Sequence, residues 1–482
     1  MNPTLILIII AAYLSLIFGI SYLTTRKLDN QSFYLGNRRS PWGIIAIGML
    51  GTSISGVTFI SVPGMVMSSG FAYMQMVFGF LLGYVAVAYI LLPVYYRMNL
   101  TSIYSYLDNR FGMRSYKTGA SYFLFSRTLG SALRLYIVAI ILQKVLFDAW
   151  NIPFFLTVTI MILLIFLYTQ KGGIKTVIWT DLIQTTVFLG AIVVCLFYVK
   201  NALGLNFLGL FRTVADSELS YVYISDVSHP RFFWKQFLAG VFTVVTMTGL
   251  DQDQMQKNLA CRSLKDAQKN MLTYGALFIP VNILFLTFGV LLVKYAQQVG
   301  LDPYSLKGDE LFSTLATQIN PATGELYLGT FVSILFVVGI IAAAYSSADS
   351  GLTALTTSFT VDILGVKNED QKLVMKRRFV HIGVCLIMIA VIVLLDVFSN
   401  DSIINVIYTV AGYTYGPLLG MFAFGLFTKT TVRDRFIPIV AILSPILSYV
   451  LNTYVFDFGF AILIVNGALC FLGLWLLKTS KK

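Results

Sequence analysis

Gly51-Thr52-Ser53-Ile54-Ser55-Gly56 stands in the middle of an otherwise apolar stretch, 43–68. Two glycines flank three hydroxyl side chains at a depth where lipid offers no hydrogen bonds to a freed amide or carbonyl. Irregular backbone survives there only when it is buried in protein or lines a cavity. Small residues also let helices approach closely, so packing alone would account for the motif. A second weak point, Thr246-Met247-Thr248-Gly249, precedes the polar run Asp251-Gln252-Asp253-Gln254. The two interruptions lie five apolar stretches apart. Interrupted helices at corresponding positions of two halves are the pattern of inverted-repeat membrane folds.

The rest of the chain supplies the setting. Its 482 residues are 57% hydrophobic and only 12% charged, with a mean hydropathy of +0.80. Soluble domains carry about 25% charged residues. This composition excludes a soluble enzyme, a disordered chain and a nucleic-acid-binding module. Apolar stretches of helix-spanning length predict thirteen transmembrane helices, at 4–24, 43–68, 71–96, 118–147, 153–170, 176–200, 233–250, 271–297, 327–360, 377–398, 402–427, 436–454 and 459–478. Barrel strands would instead alternate polar and apolar residues over shorter segments. The first stretch is followed, not preceded, by Arg26 and Lys27, so it reads as an anchored span with its N-terminus outside.

With that orientation most of the 34 lysines and arginines fall in cytoplasmic segments, Lys257, Arg262, Lys265, Lys269, Lys367, Lys481 and Lys482 among them. The net charge of +12 is then a positive-inside bias. The C-terminus is cytoplasmic. The outside segments near 201–232 and 298–326 are long enough for short helices. Residues 1–482 form one membrane domain in a multi-pass cell-membrane protein, and short loops point to a bacterial inner membrane. Its environment is the lipid bilayer. No nucleic acid or obligate protein partner is inferred. Four cysteines make no disulfide scaffold. The two histidines, His229 and His381, read as surface residues. No nucleophile–base pair or Cys/His metal spacing argues for an enzyme.

Ionisable residues inside spans call for partners. The ninth stretch contains Ala343-Ala344-Tyr345-Ser346-Ser347-Ala348-Asp349-Ser350. Ser346, Asp349 and Ser350 stand at i, i+3 and i+4 and share one helix face, and hard cations take oxygen ligands. The sixth stretch carries Asp181. An aspartate at a helix centre costs about 2.5–3.5 kcal/mol on insertion scales. Its partner is either a basic residue, such as Lys175 or a cytoplasmic arginine, or a cation shared with the ninth helix.

Several segments together resemble the sodium/solute symporter family over essentially the whole chain. They are Gly172-Gly173-Ile174-Lys175 through Trp179-Thr180-Asp181 with Gln184, Ser346-Ser347 with Thr360-Val361-Asp362-Ile363, and Gln256-Lys257-Asn258-Leu259-Ala260-Cys261-Arg262-Ser263 with Ala267. The resemblance implies an all-α integral membrane protein with a leucine-transporter-type fold of two inverted five-helix repeats. A leading helix (4–24) would be followed by repeats at 43–200 and 233–427 and two trailing helices at 436–478.

The resemblance also implies Na+ as coupling ion, one or two per cycle. The common sodium site maps onto backbone carbonyls of Gly51, Ile54 and Ala343 and the hydroxyls of Ser346 and Ser347. A second sodium site would use Asp181, Ser346, Asp349 and Ser350. Asp349 departs from the serine expected there. Two carboxylates in one site either strengthen cation binding or share a proton, and Asp349 paired with a basic residue is the structural alternative.

For the solute, the positions that carry amides in sugar-transporting relatives are here Val244 and Met247, and the eighth span has no central lysine. The fourth span instead carries Arg134. Sialic-acid-transporting relatives use an arginine on this helix for the substrate carboxylate, aligned with Gly130, one turn away on the same face. An ion pair with another helix, or snorkelling to an interface, would also explain Arg134. Gly416-Pro417-Leu418-Leu419-Gly420 resembles the branch that moves iodide, vitamins and monocarboxylates. Ser53 and Thr58, with Tyr413 and Thr414 opposite, complete the expected solute site. The resulting expectation is sodium-coupled import of a small organic anion such as sialic acid or a monocarboxylate. A sodium-coupled sugar or amino acid symporter and a proton-coupled carrier of the same fold are the alternatives. A monoanion moving with one sodium carries no net charge, so an anionic solute and a second sodium support each other.

Overall fold

The computed structural model describes residues 3–24, 30–366, 371–398 and 403–479. Arg26, Lys27, Lys367, Lys481 and Lys482, and the expected start of a span at 402, lie outside the described residues. The chain is mostly helical. Helix α1 is Pro3–Thr24, α2 Trp42–Ser53, α3 Gly56–Ser69, α4 Tyr73–Arg97 and α5 Met113–Trp150. Then come α6 Phe154–Gly172, α7 Ile174–Ala202, α8 Phe233–Val244, α9 Gln252–Leu259 and α10 Leu264–Gln298. The last five are α11 Gly329–Ile363, α12 Gln371–Phe398, α13 Ile403–Phe427, α14 Ile437–Tyr454 and α15 Ile462–Leu476.

Each of the thirteen expected stretches carries helix. Among the described residues, ten helices are long and apolar enough to cross a membrane, or eleven if the bent pair α2–α3 is one span. The other two fall short of that measure. The apolar part of α6, Phe154–Gln170, is short, and α8 is interrupted before it reaches full span length. Phe207–Ala215 and Leu311–Thr317 form short helices in the segments expected outside. Isoleucines, leucines and aromatics exposed on the outer helix faces, such as Ile442, Ile446 and Tyr449 of α14, suit lipid rather than water.

Both weak points in the sequence are breaks. Helix α2 stops at Ser53, Ile54 takes φ −84° and ψ 82°, Ser55 is extended, and α3 restarts at Gly56 with a 63° bend. The backbone ladder closes at Ile54 N–Leu50 O (2.9 Å) and resumes at Phe59 N–Ser55 O (3.1 Å). The carbonyls of Gly51, Thr52, Ser53 and Ile54 are left outside it, as at any helix end.

In the second half α8 runs into a π-helical turn, Val245–Gly249, and Asp251 is extended. The Asp251 carboxylate then caps α9, accepting the amides of Asp253 (2.9 Å) and Gln254 (3.3 Å). Carbonyls freed at this break are met by tyrosine hydroxyls: Tyr95 donates to Gly249 (2.9 Å) and Tyr104 to Leu250 (2.9 Å). Every residue of α9 is buried, although the helix is polar. Helix α7 packs against α2 and α11, α10 against α2 and α3, and α5 against α11 and α13. The two breaks therefore face one another across the centre of the bundle.

Candidate functional site

A cavity of about 80 Å³ lies between the two breaks. Ser53, Ser55 and Thr58 line it from the first break, and Thr243, Val244, Met247 and Thr248 from the second. Arg127 and Arg134 of α5, Tyr274 and Phe278 of α10, and Ile407 and Tyr408 of α13 complete the wall with Phe80 and Tyr84. Ser53 is tied across the cavity mouth to Tyr274, hydroxyl to hydroxyl at 2.5 Å. The cavity thus mixes aromatic and aliphatic groups with many hydroxyls, two guanidiniums and the amide of Gln254.

The two arginines differ. Arg127 is buried in an ion pair with Asp253 of α9, and Asp253 also accepts the hydroxyl of Ser350. Arg134 lines the cavity and makes no hydrogen bond or ion pair among the described residues. A guanidinium has five donors and stays charged. Left unpaired beside a cavity, it is a ready partner for a carboxylate, which it binds in a two-point fork. Gly130, one turn away, faces a narrower adjoining space of about 10 Å³ between Arg127 and Arg134.

Ser53, Thr58 and Arg134 therefore share one cavity, as expected. Tyr413 and Thr414 do not line it. The ring of Tyr413 is 6.2 Å from that of Tyr449, its carbonyl accepts Asn466 (2.9 Å), and Thr414 donates to its own helix at Val410 (2.7 Å). Tyr413 is five residues beyond Tyr408, about 140° further round the helix. Tyr408 and Ile407 take the cavity positions instead.

Beside the cavity, the first break lies against α7 and α11. A Cβ built on Gly51 would stand 1.9 Å from Thr185 Oγ1 and 3.2 Å from Ser346 Oγ. Only glycine permits this approach. Ser346 donates its hydroxyl proton to Asp181 Oδ1 (2.6 Å), which turns the oxygen's lone pairs away from Asp181. Ser347 donates to the Ala344 carbonyl (3.0 Å). Gly51, Ile54, Ala343, Ser346 and Ser347 thus belong to two elements in contact, α2 with its break and the middle of α11. The Gly51 and Ile54 carbonyls lie outside the ladder, whereas Ala343 lies within the continuous helix α11.

The remaining acidic residues divide. Asp181 receives the Lys257 ammonium on Oδ2 (2.6 Å) and the Thr52 hydroxyl on the same oxygen (3.2 Å). Asp349, fully buried, receives Tyr168 (2.9 Å) and Thr180 (3.3 Å) on Oδ2, while its Oδ1 has no hydrogen-bond partner among the described residues. Ser350 reaches Asp253 rather than either carboxylate of its expected set.

Three expectations are corrected here. Lys257 is not in a cytoplasmic loop but on α9, 1% exposed, and it is the basic partner of Asp181 in place of Lys175. Asp349 is met by hydroxyls and not by a basic residue. His381 is buried between Thr169 (3.1 Å) and Thr356 (2.6 Å). A polar run before a basic segment reads as a loop, yet Asp253 and Lys257 are spaced i, i+4. That spacing was the available sign of a helix with one charged face.

A bundle with two opposed broken helices, an oxygen-rich contact at one break and a solute-sized cavity between them is the architecture of a secondary transporter. The profile of the Sodium:solute symporter family matches residues 33–434, and the chain belongs to that family. It is 23% identical to the sodium/sialic acid symporter SiaT of Proteus mirabilis over 448 residues, 88% of this chain and 85% of that one. Identity to the sodium/sialic acid symporter NanT of Aliivibrio fischeri is 26% over 467 residues, 92% and 87% of the two chains. The sodium-dependent multivitamin transporter of Oryctolagus cuniculus is 27% identical over 410 residues, 82% of this chain but 61% of that protein. The chain therefore spans about three-fifths of the latter's length. Among solved structures, a Na+-coupled sialic acid symporter in a substrate-bound outward-open state superposes with a TM-score of 0.81 at 21% identity. That match covers 98% of this chain and 97% of the other.

Proposed function

We propose that this sodium-coupled symporter imports a small carboxylate-bearing solute by alternating access. The observation that carries the reading is the unpaired Arg134 in a cavity bounded by both helix breaks. Sialic acid and a monocarboxylate both carry the group that Arg134 would bind. The solute's carboxylate meets Arg134, its apolar part meets Phe80, Tyr84, Met247 and Phe278, and Ser53 and Thr58 supply hydrogen bonds.

Sodium sits at the first break, on the carbonyls of Gly51, Ile54 and Ala343 and the hydroxyls of Ser346 and Ser347. Supporting this are the lapsed ladder and the closeness of Gly51 to Ser346. Sodium there ties α11 to the broken α2–α3 pair and favours the outward-open form. Solute bound between the breaks then permits closure. Because the solute enters the outward-open form that sodium favours, each raises the other's affinity. The breaks open two five-helix repeats of inverted topology, 43–200 and 233–427. A leading helix precedes them and two trailing helices follow, giving thirteen spans with the N-terminus outside, in a bacterial inner membrane.

The test is the thermal stability of the purified protein, screened against carboxylates, sugars and amino acids in sodium and then in potassium. Ligand bound to the native state raises the unfolding midpoint by mass action. Stabilisation by a carboxylate only in sodium is the expected result. Stabilisation by a sugar, which has no carboxylate, in sodium would overturn the Arg134 assignment. A carboxylate that stabilises equally in potassium would replace sodium coupling with proton coupling.

A further inference from the structure

We propose that Lys257 is a resident cation that fills the place of a second sodium, so that the carrier binds one sodium per cycle. This rests on the sodium site proposed above at Ser346 and Ser347. The Lys257 ammonium is buried, bonded to Asp181 Oδ2 at 2.6 Å and to the Thr52 hydroxyl. Those ligands, one carboxylate oxygen and one hydroxyl, are the kind a hard cation uses. Asp181's other oxygen is taken by Ser346. The carboxylate therefore has a donor on each oxygen, and its charge is already neutralised.

The rest of the acidic set is partly engaged, and only Asp349 Oδ1 in it has no hydrogen-bond partner among the described residues. Ser350 is bonded to Asp253, which is itself neutralised by Arg127. Asp349 is held on one oxygen by Tyr168 and Thr180. A cation brought to Asp181 would have to displace an ammonium tethered to α9, a helix buried along its whole length. In the same position Lys257 couples ion site and gate. Through Asp181 it links α9 of the second break to Ser346 of the sodium site and to Thr52 beside the first break.

The test counts bound radioactive sodium on the purified full chain. One sodium per protein is expected for the wild type and for Lys257→Arg. Lys257→Met frees Asp181 and should raise the count to two, and the double variant Lys257→Met/Asp181→Asn should return it to one. Two sodiums on the wild type would overturn the proposal, and this count stands whether or not Lys257→Met folds. So would one sodium on a Lys257→Met protein that keeps its cooperative unfolding transition. No sodium on the wild type would instead remove the sodium site itself, an outcome distinct from two.

Discussion

Replacing Gly51 with alanine adds one methyl group at the contact between the first break and α11. The added Cβ meets Thr185 Oγ1 at 1.9 Å, Thr185 Cβ at 3.0 Å and Ser346 Oγ at 3.2 Å. The first distance is impossible without movement, and Thr185 belongs to α7, which also carries Asp181. Overpacking of this kind costs about 1–3 kcal/mol. The strain is relieved by separating α2 from α7 and α11, which pulls the Gly51 carbonyl away from Ser346. If all of it is expressed at the ion site, sodium affinity falls by about 5- to 150-fold.

The assay is the sodium concentration that half-saturates the thermal shift, with potassium holding ionic strength constant. Two controls bracket the result. A Cβ at Gly190, on the same α7, meets nothing within 4 Å, so Gly190→Ala should leave sodium affinity unchanged and stabilise the helix by about 0.5–1 kcal/mol. Thr185→Ala removes the oxygen at 1.9 Å and should partly restore sodium affinity to Gly51→Ala. A folded Gly51→Ala protein with wild-type sodium affinity would refute the placement of sodium at this break.

Arg134→Ala should abolish stabilisation by a carboxylate while sodium alone still binds, and Arg134→Lys should recover little, because an ammonium cannot form the two-point fork. Loss of sodium binding in Arg134→Ala would refute the separation of the two sites. Ser346→Ala and Ser347→Ala should each raise the half-saturating sodium concentration at least tenfold, with solute affinity falling in parallel as linkage requires; a fall in one affinity alone would contradict the coupling. Arg127→Met leaves Asp253 buried without its cation and should cost about 3–5 kcal/mol of stability. Replacing both partners, Arg127→Met/Asp253→Leu, should restore most of that, as read by the unfolding midpoint in detergent.

Asp181 explains why these sites respond together. One carboxylate on α7 receives Thr52 of α2, Lys257 of α9 and Ser346 of α11. Four helices, one from each break and two continuous ones, meet at this group. With sodium at the proposed site, a change at Ser346 would reach Asp181 and through it Lys257 and α9. A buried pair of this kind is expensive to break from one side, which makes the junction two-state and not gradual.

The amino-acid sequence determined the membrane setting, the places of the helices and both breaks, because these follow from local composition. Gly51 to Gly56 and Thr246 to Gly249 are short runs of residues unsuited to a lipid-spanning helix; the first contains a break, and the second forms a π-helical turn with the break just after it, at Leu250 and Asp251. The shared face of Ser346, Asp349 and Ser350 was legible from helical spacing, but its partners were not. Asp181 and Lys257 are separated by 76 residues, and Arg127 and Asp253 by 126. No local pattern marks such pairs. Only packing chose Lys257 over Lys175 for Asp181, sent Ser350 to Asp253, and put Tyr408 in the wall where Tyr413 was expected. It also left Arg134, alone of the two arginines on the cavity, without a partner among the described residues. Each of these depends on which helix faces which, and at what rotation, and that is settled by the fit of whole helices against one another rather than by residues near in sequence.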